Sequence, residues 1–107
     1  MTTKLFKTDQ SLKFLESVSG KQLTIGNLLW AIREADEIKQ IDFAQKLCIS
    51  RQYLCDLEHN RRGLSPAMAS KFARTLGYAE EQFIRLPIQD ALDRAGLHFE
   101  IEIHKAA

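Results

Sequence analysis

A mainly α-helical fold, closed near its C-terminal end by one β-strand, is what this sequence of 107 residues predicts. Three observations carry that expectation. Apolar residues recur three and four apart through most of the chain, as in Ile25, Leu29 and Ile32, and mark one face of successive short helices. Residues suited to capping a helix, Thr24, Ser50 and Ser65, stand just ahead of such runs, while Gly20, Gly77 and Gly96 stand just behind them. Only in the run LHFEIEIH does the period change to two.

In chain order, residues 9–19 place Leu12, Leu15 and Val18 three apart with Phe14 beside them, and Gly20 stops this first helix. Thr24 caps a second, reaching about Glu37. The run QIDFAQKL, residues 40–47, buries Phe43, Ala44 and Leu47. Ser50 caps a helix to about His59. Ser65 followed by Pro66 is a cap with a proline in the first turn, opening a helix to Leu76 that Gly77 closes. Residues 79–86 and 88–95 are two further helical pieces, and Pro87 either starts the second or kinks a single helix. From residue 97, Leu97, Phe99, Ile101 and Ile103 alternate with His98, Glu100, Glu102 and His104, a strand with one apolar face. A lone strand leaves its backbone unsatisfied, so it needs an edge: the N-terminal TKLFK, another copy of the chain, or a different protein.

Length and a hydrophobic fraction of 45% suit one domain with a real core. No run approaches the roughly 18 apolar residues of a membrane span, and MTTKLFKTDQ lacks the apolar centre of a secretory signal. Cys48 and Cys55 are too few for a disulfide scaffold and are not spaced as a zinc site, so a reducing, cytoplasmic setting is expected. The net charge of +1 hides an asymmetry. Residues 39–74 hold seven basic against three acidic side chains, whereas residues 75–107 hold three against six. A local basic patch on a near-neutral chain suits a polyanion at one face. No Gly-rich phosphate loop, HExxH, or Ser or Cys with a base and an orienting acid is present, so neither an enzyme, a metal nor a cofactor is expected.

The basic segment contains ISRQYLCDLEHNRRGLSP, residues 49–66. Only Cys48 and Ile49 separate Leu47 from the cap Ser50, a connection tight enough to make the two flanking helices cross steeply, the helix-turn-helix geometry. Leu54 and Leu57 give the second helix a buried side. Its other side carries Arg51, Gln52, Cys55, Asp56 and His59. Arg and Gln near the start of such a helix suit guanine and adenine edges in a major groove, and the helix N-terminus favours phosphate.

Across residues 25–77 the chain resembles the lambda-repressor-like, XRE-type helix-turn-helix family. The resemblance rests on IRE at 32–34, Gln40, FAQKL, ISRQYLCDLE and NRRGLSP, in that order and spacing. It implies a DNA-binding bundle over residues 24–86, preceded by an extension with its own helix (1–23) and followed by a C-terminal helix and strand (87–107) for dimerisation or partner binding. By matching position, Arg51 and Gln52 would read bases, with Cys55 and Asp56 one turn further along. Gln40, Ser50, Tyr53, His59, Arg61 and Arg62 would meet phosphates, and Gln40 would also buttress the recognition helix. Asp56 would repel phosphate unless it accepts from cytosine or pairs with Gln52 or Arg51. The family often has Gly where this chain has Cys48, and Asn-Gly where it has His59-Asn60, so Cys48 and Asn60 are expected in left-handed conformation.

Trp30 lies off the buried face of its helix, either under the helix at 9–19 or on a partner surface. With Leu97, Phe99, Ile101 and Ile103 it is the expected dimer or partner contact. The function expected is sequence-specific binding of duplex DNA by a transcriptional repressor, as a homodimer on a palindromic operator. The alternative is an antitoxin that also binds a toxin protein.

Overall fold

The computed structural model describes residues 23–106. The helix expected at 9–19, residues 1–8 and the TKLFK edge lie outside that range. Five helices follow one another among the described residues: α1 (Ile25–Ala35), α2 (Gln40–Lys46), α3 (Arg51–Glu58), α4 (Pro66–Leu76) and α5 (Glu80–Arg94). Three begin on the expected hydroxyl caps. The Thr24 oxygen accepts from the Asn27 amide, Ser50 from Tyr53 and Ser65 from Met68, each satisfying an N–H that has no partner inside its helix.

The helix ends share one device. After α1, α2, α3 and α5 a residue with positive φ turns the chain away: Glu37 at 53°, Cys48 at 60°, Asn60 at 59° and Gly96 at 75°. In each case the next N–H reaches back to close the turn, from Ile38 to Arg33, Ile49 to Ala44, Arg61 to Asp56 and Leu97 to Leu92. Cys48 and Asn60 behave as expected. Glu37 has no resemblance to a turn residue, and its strain, about 1 kcal/mol, is offset by these two-bond closures and by Ile38, which packs against the core.

Phe43, Phe72, Phe83, Leu28, Leu29, Ile32, Leu54, Leu57, Leu76 and Leu86 are the largest fully buried side chains, contributed by all five helices. Each such residue stabilises the fold by about 1.5–3 kcal/mol. Helices α4 and α5 make the most extensive pairing, while α3 packs on both α1 and α2. Pro87 does not start a new helix: α5 runs through it as one helix.

Tyr78, buried in the α4–α5 turn, tilts its ring against Phe83 with centroids 5.6 Å apart. Burial, and secondarily the charge of Asp36, pushes its phenol up to about 12. In the unfolded chain the phenol ionises near 10. The folded state therefore holds the proton longer, and stability present below pH 10 is lost as pH rises from 10 to 12. Tyr78→Phe should abolish that part of the alkaline loss, roughly 2 kcal/mol, in denaturant titrations repeated across this range.

The expected C-terminal strand is not formed. Residues 97–106 carry no regular secondary structure, because no described strand offers them an edge and a ladder needs two backbones. A side chain takes one rung's place. Buried Gln89 of α5 donates from Nε2 to the Phe99 carbonyl at 2.7 Å and accepts the Ile101 N–H on Oε1 at 3.0 Å. The apolar alternation is correspondingly uneven, with Ile101 and Ile103 half-buried and Leu97 and Phe99 exposed.

Candidate nucleic-acid interface

The short α2–α3 connection turns on Cys48, and Ile49, held by its bond to Ala44, delivers Ser50 to the start of α3. Leu54 and Leu57 anchor that helix in the core, so its opposite side must face outward. Arg51 and Gln52 are exposed in the first turn, Cys55 and Asp56 are half-buried one turn on, and His59 is exposed at the end. The structure thus brings these five candidates onto one side.

What holds α3 at its angle is a polar chain through three helices. Arg33 of α1 donates from Nε to Glu58 Oε2 at 2.8 Å and from Nη2 to Oε1 at 3.0 Å, while its Nη1 caps the Ile38 carbonyl at 3.0 Å. The Glu58 side chain is only 1% exposed. Gln40, at the start of α2, donates from Nε2 to Glu58 Oε1 at 3.1 Å and accepts Arg51 Nη1 on Oε1 at 3.2 Å. Gln40, expected to buttress the recognition helix, thus contacts α3 at both of its ends. Hydrogen bonding to Glu58 raises the Arg33 pKa against the cost of burial, so the guanidinium stays charged. Arg33 and Glu58 lie within motifs that carry the resemblance, but the sequence assigns neither a role. One signal existed: Glu58 directly follows Leu57 on the buried side of α3, and a carboxylate there requires a cation.

A second cluster lies at the outer end of α3. Asp56 Oδ1 accepts from Gln52 Nε2 at 3.1 Å and from Arg61 Nε at 3.0 Å, with Arg61 Nη2 at 2.9 Å. Of the two neighbours expected for Asp56, Gln52 is the one in contact, and Arg61 is added. The Arg61 hydrogen bond holds the Asp56 carboxyl below the usual carboxylate range. Arg61 also donates to Cys55 Sγ at 3.4 Å. Its guanidinium is therefore engaged within the protein, whereas that of Arg62 stacks over the Tyr53 ring, 4.7 Å from its centroid. His59 Nδ1 lies 2.8 Å from the Cys55 carbonyl, a pure acceptor, so that nitrogen carries a proton.

The loop bearing these arginines is tied down at Asn60. Its side chain accepts from Thr24 Oγ1 at 2.8 Å and donates to Asn27 Oδ1 at 3.1 Å, and its carbonyl accepts from Arg94 Nη2 at 2.9 Å. Both ends of the bundle, α1 and α5, thus position one loop. Trp30 stands apart, 50% exposed on α1, as does Ile41 on α2 at 51%. Cys48 and Cys55 are free thiols. Among the described residues no cluster of three metal-ligating side chains occurs, and no helix is long and apolar enough to cross a membrane.

A helix pair joined by a tight turn, whose second member is braced from behind and polar in front, defines a helix-turn-helix domain. Residues 31–83 match the family model described as helix-turn-helix, and the chain carries a domain of that family in its lambda-repressor-like, XRE-type form. It is a DNA-binding, regulatory family. No curated protein and no solved structure matches the chain.

Proposed function

We propose that this protein is a sequence-specific transcriptional regulator, acting as a repressor, that inserts α3 into the major groove of duplex DNA. The observation that carries this reading is the placement of Arg51 and Gln52, exposed in the first turn of a helix that Glu58 and Gln40 lock to its neighbours. Arg51 would donate to a guanine edge and Gln52 would pair with adenine. Gln40, Ser50, Tyr53 and Arg62 near that turn and His59 at the far end of α3 would meet phosphates, with Arg61 supporting them through Asp56. One such helix reads only a few base pairs, so two copies would occupy a palindromic operator. The exposed Leu97 and Phe99, beside the half-buried Ile101 and Ile103, are the surface we assign to contact with the second copy.

Selection of binding sites from a random duplex pool tests this directly. An enriched inverted repeat is the expected result, and its spacing gives the distance between the two copies of α3. Arg51→Ala should cost about 1–3 kcal/mol at one position per half-site and relax the preference there, while Arg62→Ala should weaken all sequences alike and flatten the salt dependence. Equal losses on selected and scrambled DNA for Arg51→Ala would refute its base-reading role.

A second reading, an antitoxin that represses its own operon and masks a toxin protein, is favoured by Trp30. An indole half-exposed on α1 is a large apolar contact and is not among the residues assigned to the DNA-reading side of α3. Co-purification of a small partner that shifts the Trp30 fluorescence would support it. The chain's single tryptophan makes that signal unambiguous.

A further inference from the structure

We propose that Asp56 is a specificity-determining, positioning residue: its carboxylate holds the Gln52 amide in one of its two orientations, so that Gln52 favours a base with an amino group on its major-groove edge. The assignment rests on the reading of α3 as the DNA-reading helix and adds a rule for what that helix accepts.

A glutamine amide turned over by 180° keeps nearly the same shape but exchanges its acceptor oxygen for its two N–H donors. Left free, Gln52 would suit amino-bearing and carbonyl-bearing bases alike. It is not left free. Asp56 stands four residues on, one helical turn along the same face, and its Oδ1 is 3.1 Å from Gln52 Nε2. An ionised carboxylate has acceptors only, so the turned-over amide would set oxygen against oxygen. Arg61 donates to the same oxygen at 3.0 Å, and its hydrogen bond lowers the Asp56 pKa further, below a range in which the carboxylate is already ionised at neutral pH. It also neutralises a charge that would otherwise face the phosphates.

What Gln52 can offer outward is then Oε1 and its second N–H. Adenine answers both, with a donor at N6 and an acceptor at N7, and cytosine answers the oxygen through N4. Guanine and thymine present only acceptors on that edge; they could take the second N–H but leave Oε1 without a donor, and are disfavoured. The inner amide on this surface is fixed by the same logic, since Glu58 takes the Gln40 nitrogen and turns its oxygen toward Arg51.

The experiment is the same duplex selection, run on the full chain as wild type, Asp56→Asn and Arg61→Gln. Asparagine keeps the shape of aspartate but presents either an oxygen or a nitrogen, which frees Gln52 to turn over. In the wild type one position per half-site should favour adenine and cytosine over guanine and thymine. In Asp56→Asn the preference for amino over carbonyl bases at that position should fall about ten-fold, with the other positions unchanged. Arg61→Gln should weaken all sequences alike and keep that preference. An Asp56→Asn protein with unaltered preference at every position would overturn the proposal. A wild type that enriches no sequence would bring down the reading of α3 itself, and this assignment with it.

Discussion

Glu58→Ala is expected to lower the unfolding free energy by about 3–5 kcal/mol, a large share of the stability of a domain this small. The Glu58 side chain is 1% exposed and Arg33 13%, so removing the carboxylate leaves a largely buried guanidinium with only the Ile38 carbonyl and the longer 3.6 Å contact to exposed Glu34. The paired state is not strongly stabilising in itself. Desolvation of both ions offsets most of their attraction, and the cost falls on whichever partner is left alone. Arg33→Met combined with Glu58→Leu should therefore recover most of what Glu58→Ala loses. Urea unfolding of the single and double variants measures this. A loss below about 1 kcal/mol for Glu58→Ala would place the pair in the class of solvated surface bridges. The double variant carries a second consequence: without the Glu58 oxygen the Gln40 amide is free to turn, and Arg51 loses its fixed brace. Stability and base discrimination should separate in that protein.

Gly26→Ala should be comparably damaging, although alanine is the better helix former. In an open helix the exchange would stabilise by about 1 kcal/mol. Here a Cβ at residue 26 would stand 1.9 Å from the Leu57 carbonyl oxygen and 2.8 Å from Asn60 Oδ1. The first of these is backbone and cannot swing aside. Helices α1 and α3 would have to separate, which strains the Arg33–Glu58 pair and the Thr24–Asn60–Asn27 contacts together. A loss of about 3 kcal/mol, at the upper end of overpacking effects, is the expected result. Thermal unfolding of the variant decides the sign. A raised melting temperature would mean that the two helices part without penalty.

How much of this was legible beforehand follows the reach of each interaction along the chain. The caps Thr24, Ser50 and Ser65 act on amides three residues away, and such local bonds can be read from a short window. The left-handed residues Cys48 and Asn60 were legible through the family pattern around them. Glu37 was not, because nothing in its side chain favours positive φ. The outward side of α3 followed from Leu54 and Leu57. The pairing of Asp56 with Gln52 was within reach because both lie on one helix, whereas its pairing with Arg61 depends on how the following loop folds back.

The C-terminal run shows the boundary. Its period of two describes a chain able to form a strand, but whether a strand forms depends on a second backbone that periodicity does not supply. Gln89 meets it instead, and residue 89 sits on a helix whose own pattern gives no hint of it. Helix positions, caps, the turn into α3 and the identity of its outward residues are thus inherent in the order of amino acids, since each depends on neighbours a few residues away. The Arg33–Glu58 brace spans 25 residues and the Thr24–Asn60 clamp 36, with the span of the Gly26–Leu57 approach between the two. Those contacts exist only once three helices have packed, because it is the packing that brings their atoms within bonding distance.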